Sequence, residues 1–165
     1  MRPEELAERL RMRFEDVIVS RDEVTLTLER DRLLDGLIYL RDEPDLGFGF
    51  LADVSCTDWP GREPRIWMAY HLASYEDDRR LRVKTGLPEE DLRVPSATPL
   101  FPSADWLERE VYDFFGVRFN GHPHLTRILM PDDWQGYPLR KDHSLGGVPT
   151  QYKGAFVPPP DERGL

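Results

Sequence analysis

Ile66-Trp67-Met68-Ala69-Tyr70-His71-Leu72 sets an apolar side chain at every second position, 66, 68, 70 and 72, the period of a half-buried β-strand. Upstream, Phe48, Phe50, Ala52, Val54 and Cys56 share that period on one face, with Asp53, Ser55 and Thr57 on the other. Asp58-Trp59-Pro60-Gly61 supplies the turn between the two strands. Downstream, Leu81 and Val83 repeat the period on a shorter strand. Its other face, Arg80, Arg82 and Lys84, reads as an exposed stripe that protects a sheet edge from aggregation. Three closely spaced strands predict an antiparallel meander.

Toward the N-terminus, Pro3, Glu4 and Glu5 suit the start of a helix, and Leu6, Leu10 and Phe14 give it an apolar face over residues 3–13. Val17 and Val19, the turn at Arg21-Asp22, and Val24, Leu26 and Leu28 form a hairpin with one buried face. Asp31 is placed to cap a second helix carrying Leu33, Leu34, Leu37, Ile38 and Leu40, which Pro44 ends. This order of elements predicts an α+β fold, a two-layer α/β sandwich with helices on one face of a mostly antiparallel, mixed sheet. The domain is expected to occupy residues 1–120, followed by an extended partner-binding segment over 121–165.

Residues 87–102 contain four prolines and the acidic run Glu89-Glu90-Asp91, the mark of a connector. A helix follows. At 100° per residue, Leu107, Val111, Phe114 and Phe115 share a stripe, Asp105, Arg109 and Tyr112 lie near the opposite pole, and Glu110 sits at the edge. Ser103 is expected as its N-cap and Gly116 as its stop. Beyond Gly116, prolines at 123, 131, 138 and 149 break the chain into short extended pieces. Trp134, Tyr137, Arg140, Tyr152 and Phe156 are spaced as anchors, so the segment from Leu125 onward is expected to take its order mainly from a partner surface.

The chain has 165 residues, enough for one domain and a tail. Its formal charge of -9 argues against nucleic acid as a partner and for a cationic or mixed-charge protein. With Cys56 the only cysteine, intramolecular disulfides are excluded, as is a cluster ligated by this chain's thiolates alone. Cys56 is in phase with the buried face of its strand, which predicts an inert thiol. No apolar run approaches the roughly 20 residues of a membrane span, and the start lacks the apolar core of a signal peptide, so a cytosolic or peripheral protein is expected.

Three constellations could carry chemistry. Glu108, Glu110 and Asp113 with Arg109 could serve acid-base work, since paired carboxylates push each other's pKa apart; the plainer reading is a solvated face with one structural ion pair. His122 and His124 with Asp132, Asp133, Asp142 and His143 form the one group able to ligate a metal, as in a free-standing metal-dependent hydrolase. Proline between the two histidines and the lack of a helical HExxH favour hydrogen bonding instead. Arg127, Arg140 and Lys141 suit bidentate pairing with carboxylates or, alternatively, phosphate, although no nucleotide-cradling glycine motif is present. The four tryptophans read as core or interface residues.

Glu108-Arg109-Glu110 with Asp113-Phe114-Phe115-Gly116, then Gly121-His122-Pro123 with Leu125, Arg127, Ile128 and Leu129, then Gly136-Tyr137-Pro138-Leu139-Arg140-Lys141-Asp142, follow one another in a family's order and spacing. They resemble the C-type, or 30 kDa-type, subunit of the proton-pumping NADH-quinone oxidoreductase, respiratory complex I. His124 and His143 depart from the family pattern, where an acidic and an aromatic residue are common. The resemblance implies a peripheral-arm component without a catalytic, cofactor or metal site of its own. It would be held on the cytoplasmic side of the inner membrane, bracing the homologue of the complex's D-type subunit and, with it, that of the B-type subunit at the quinone-reducing end. FMN, iron-sulfur clusters, NADH and quinone would lie on other subunits. Glu108, Arg109, Glu110, Asp113, His122, Arg127, Arg140, Lys141 and Asp142 would be interface and signature residues, and the resemblance implies that the helix charges are satisfied by the chain's own post-helix segment and by the neighbouring large subunit. The equivalent subunit of a membrane-bound hydrogenase or a ferredoxin-plastoquinone reductase is the nearest alternative.

Overall fold

A computed structural model describes residues 2–143, together with the backbone of 150–152 and 155–157. Helix α1 (Pro3–Arg11) precedes the hairpin β1 (Val17–Ser20) and β2 (Glu23–Thr27). A 3-10 turn (Arg30–Arg32) leads into α2 (Leu33–Asp42), followed by β3 (Phe50–Asp58), β4 (Ile66–Ala73) and β5 (Arg80–Leu87). After β6 (Arg93–Pro95) come α3 (Ala104–Phe115) and β7 (Arg118–Asn120), and then a short pair, β8 (Thr150–Tyr152) and β9 (Ala155–Val157).

The main sheet runs β1-β2-β5-β4-β3, antiparallel throughout except for the parallel pair β2 and β5. That mixed order follows from the crossover: α2 and the β3-β4 hairpin must be placed before β5 can return beside β2. Leu6, Leu10, Leu33, Leu37 and Leu40 of the helices pack on Leu26, Val54, Met68, Tyr70 and Val83 of one sheet face, all buried in a single core. The architecture is the expected two-layer α+β sandwich. At the β1-β2 turn both Arg21 and Asp22 have positive φ, 53° and 62°, the twist a two-residue hairpin connection requires.

Several local expectations are corrected. In β3 the pairing jumps from Leu51↔Leu72 to Asp53↔His71, leaving Ala52 as an extra residue. This bulge turns Leu51 into the core at 1 % exposure and leaves Phe50 at 38 %, so the inward face is Leu51, Val54, Cys56 and Asp58. Strand β5 is as long as β4 and lies in the middle of the sheet. Its basic stripe therefore protects no edge; Arg82 pairs with Glu23 on β2 at 2.5 Å, and Lys84 lies 4.8 Å from the centre of the Trp67 ring. Asp31 sits in the 3-10 turn and caps nothing, since α2 begins after Arg32 without a side-chain cap. Ser103 does not cap α3 either, because its hydroxyl donates to the Leu51 carbonyl at 2.9 Å and ties the helix to the bulged strand. The proline-rich connector holds β6, which pairs in parallel with β7.

Gly116 ends α3 with φ 76°, and an added Cβ there would lie 2.4 Å from the Tyr137 ring. Gly61 has a similar φ, 78°, but open space around it. Alanine at Gly61 meets only the left-handed penalty, about 1–2 kcal/mol, or a few degrees in melting temperature for a chain of this size. Gly116→Ala should lower the melting temperature by roughly twice as much, because it also expels Tyr137. Equal losses in the two variants, read by calorimetry, would show that the Tyr137 contact contributes nothing.

Candidate functional site

Helix α3 is covered on two sides, which one apolar stripe does not anticipate. Val111 faces the sheet core, and Asp113, about 200° further round the helix, faces the segment that follows β7. The least accessible charged side chains of the helix are Glu108 and Asp113, both at 0 % exposure, while Leu107, Phe114 and Phe115 are only partly buried. The solvated-face reading is thereby corrected for these two acids. Glu110 is half-buried and outside both of their networks.

Asp113 receives four donors. Its Oδ1 accepts from Arg127 Nη1 at 2.7 Å, and its Oδ2 accepts the consecutive backbone N–H groups of Ile128, Leu129 and Met130 at 3.1, 2.8 and 2.9 Å. Burial pushes this carboxyl's pKa upward, but the three amides and the guanidinium outweigh it and hold the group below the usual carboxylate range. Arg127 also donates to the carbonyls of Asp113 (3.1 Å) and Gly136 (3.1 Å). Arg140 Nε donates to Phe115 O at 2.6 Å and the Leu139 N–H to Phe114 O at 3.2 Å. Carbonyls at the end of α3, which no helix can satisfy from within, are thus capped by residues 127–140. The Tyr137 ring, against Gly116, lies under the Arg140 guanidinium at 4.9 Å and 5.5 Å from that of Arg127.

A second clamp holds the far end of this segment. Arg65 pairs bidentately with buried Asp58 at 2.7 and 2.9 Å and reaches Glu89 at 2.5 Å and Asp142 at 3.0 Å. The Lys141 N–H donates to Asp58 Oδ2 at 2.8 Å. Hydrogen bonding to Arg65 is the chief reason that Asp58 lies below its ordinary pKa. Arg109 donates to Thr126 O (3.1 Å), Thr126 Oγ1 (3.0 Å) and Arg127 O (3.4 Å). Residues 126–142 thus take contacts from the chain's own domain, where the expectation from Leu125 onward was of a partner surface; most of the stretch after Gly146 lies outside the described residues. The anchors Tyr152 and Phe156 have side chains outside the described residues.

The His122 side chain is fully buried. Its Nδ1 accepts the His124 N–H at 3.0 Å, so the proton sits on Nε2, 3.1 Å from Asp105 O and 3.3 Å from Asp105 Oδ1. His124, Asp132 and Asp133 are exposed, and His143 lies beside the Trp134 ring with centroids 6.1 Å apart. Among the described residues no group of three or more His, Cys, Asp or Glu is placed to hold a metal. A cleft of about 640 Å³ lined by Glu23, Phe50, His71, Arg80 and Arg82 contains none of the signature residues. Cys56 is buried, and desolvation raises its thiol pKa.

Sequence reasoning missed Asp58, Arg65 and Ser96. Asp58 was legible, since it continues the inward phase of Val54 and Cys56, whereas nothing local distinguishes Arg65.

Asp113→Asn cannot serve both sides of its site, because one half of an amide donates and would face either Arg127 or the three N–H groups. The purified chain should lose about 3–5 kcal/mol in urea denaturation, the cost of breaking a buried charged pair, and amides 128–130 should exchange freely. Glu110→Gln should stay within about 0.5 kcal/mol. Comparable losses in the two variants would remove Asp113 from its central position.

Glu108 behaves oppositely. Its Oε2 accepts from Ser96 Oγ at 2.7 Å and its Oε1 from the Ala97 N–H at 2.6 Å, yet desolvation prevails and pushes its pKa from 4.5 to about 7. The folded state holds this proton more tightly than the unfolded chain. The resulting stability is fully present below pH 4.5, falls as pH rises toward 7 and is absent above it, on the order of 3 kcal/mol in all. Glu108→Gln keeps both bonds, its oxygen accepting from Ala97 and its amide donating to Ser96, and has no proton to lose. Melts from about pH 5 to pH 8 should show wild type losing stability relative to this variant; parallel curves would refute the assignment.

Residues 26–149, which include α3 and the whole of the segment 126–142, match the family described as "Respiratory-chain NADH dehydrogenase, 30 Kd subunit". The chain is 51% identical over 168 aligned positions to the C-type subunit of NADH-quinone oxidoreductase from Mycobacterium tuberculosis, covering 96% of this chain and 70% of that one. It is 51% identical over 150 positions to the subunit of the same name from a Nocardioides species, covering 89% and 59%. Among solved structures, a trypsin-resistant fragment (1-134) of Nqo5 superposes with a TM-score of 0.67 at 35% identity, over 76% of this chain and all of that fragment. A chain of the membrane-bound sulfane sulfur reductase, an archaeal respiratory membrane complex, gives 0.74 at 29% identity over 86% and 85%. The chain belongs to the family of the 30 kDa subunit of respiratory-chain NADH dehydrogenase.

Proposed function

We propose that this chain is the 30 kDa-type, or C-type, subunit of a proton-translocating NADH-quinone oxidoreductase, a peripheral-arm component that binds no cofactor and braces the quinone-reducing subunits. The observation that carries this reading is the 51% identity to the mycobacterial C-type subunit over 96% of the chain. The geometry supports it: the signature residues Asp113, Arg127 and Arg140 build a rigid platform from the segment after β7. In this reading the D-type homologue is the main partner and the B-type homologue lies behind it. FMN, iron-sulfur clusters, NADH and quinone belong to other chains. No helix among the described residues is long and apolar enough to cross a membrane, so attachment at the cytoplasmic side of the inner membrane would run through those partners.

The likeness to a chain of the archaeal complex favours one second reading, the equivalent subunit of a related hydrogenase or ferredoxin-linked complex. A tagged copy recovered from its own membranes separates the two. NADH-oxidising flavoprotein subunits and NADH-quinone turnover in the purified assembly are expected, and their absence beside the D-type and B-type homologues would favour the relative. The chain purified alone should show no flavin or cluster absorbance. Deleting it should abolish NADH-driven quinone reduction in membranes until it is re-expressed, and undiminished turnover after deletion would overturn the proposal.

A further inference from the structure

The two buried acids of the signature helix, Glu108 and Asp113, point inward, so recognition at this end of the molecule falls to side chains that the surrounding network holds at the surface. Because Asp113 takes the amides of Ile128, Leu129 and Met130, the backbone there is fixed while the Leu129 side chain stands 59 % exposed. Trp106 is 63 % exposed, and the Arg109 guanidinium lies 4.7 Å from the centre of its ring. Arg109 is in turn fixed by Thr126 and the Arg127 carbonyl. Trp106, Arg109 and Thr126 are thus joined in one strip with little freedom to lose, and Leu129 follows Thr126 by three residues on a backbone held by Asp113. Further along the same segment the Trp134 backbone N–H donates to Pro131 O at 3.0 Å, closing a turn that carries Asp132 and Asp133 in solvent.

We propose that Trp106, Arg109 and Leu129 are a preformed anchor for a partner protein whose contact surface is an apolar pocket with a basic rim, the rim facing Asp132 and Asp133. Exposed tryptophan and half-buried, hydrogen-bonded arginine are residue types that dominate binding energy, and prior ordering removes much of the entropic cost of docking. A second copy of this chain is a poor occupant, since a two-fold contact would bring the acidic turns of two chains of charge -9 together. The inference rests on the proposed function in placing that pocket on a large subunit of the same oxidoreductase.

The test uses the tagged full chain in its own membranes, as wild type, as Trp106→Ala/Leu129→Ala and as Asp132→Lys/Asp133→Lys, with co-purifying subunits quantified by mass spectrometry. The apolar double variant, purified alone, should melt within a few degrees of wild type yet recover at least about tenfold less of the large subunits. The charge-reversed variant should also recover less, with the deficit shrinking as salt is raised. If wild type recovers the subunits and the apolar double variant does so equally well, the anchor alone is overturned. A wild-type chain that recovers none overturns the proposed function and the anchor with it. A purified chain that dimerises in the ultracentrifuge, and ceases to when Trp106 and Leu129 are replaced, would make a second copy the occupant and overturn the proposal.

Discussion

A fully buried carboxylate must find several donors or give up its charge, and Asp113 finds four within 3.1 Å. Three are consecutive backbone amides from a segment without regular secondary structure, whose N–H groups would otherwise lack partners. The fourth, Arg127, fans out to carbonyls on both sides of the site. One side chain on a helix therefore substitutes for the sheet ladder that proline spacing denies to residues 122–143. Tyr137, Leu139 and Arg140 can then close over the end of α3, and Gly116 leaves room for the Tyr137 ring.

Glu108 and Asp113 show how donor count decides the chemistry of a buried acid. They lie five positions apart on one helix, both inaccessible to solvent. Asp113 has three amides and a cation and stays below the normal range, whereas Glu108 has one amide and one hydroxyl and rises to about 7. Glu108 ties the β6-α3 connector to the helix through Ser96 and Ala97. The two acids thus bind the segments before and after α3, and their opposite titration gives the two attachments opposite responses to pH.

This arrangement gives the charged motif of α3 a structural use. The charges are structural groups that convert an irregular segment into a surface of defined shape. Arg65, joined to Asp58, Glu89 and Asp142, extends the same device to the far end of that segment.

The period-two alternation at residues 66–72 and the helical spacing of Leu6 and Leu10 determined the layers, because burying one face of a strand or helix is a local property of the pattern. The signature helix and its glycine stop were legible for the same reason. Two kinds of fact were decided only by the tertiary structure. The bulge at Ala52 reversed the faces at the start of β3, since an extra residue shifts phase without a mark in the composition, and the parallel return of β5 moved its basic stripe from an expected edge to the middle of the sheet. The second kind is partnership: Asp113 with residues 127–130, and Arg65 with Asp58 and Asp142, are joined across 7 to 77 positions of sequence. A sequence displays the charges, but which of them lose their water depends on what folds over them.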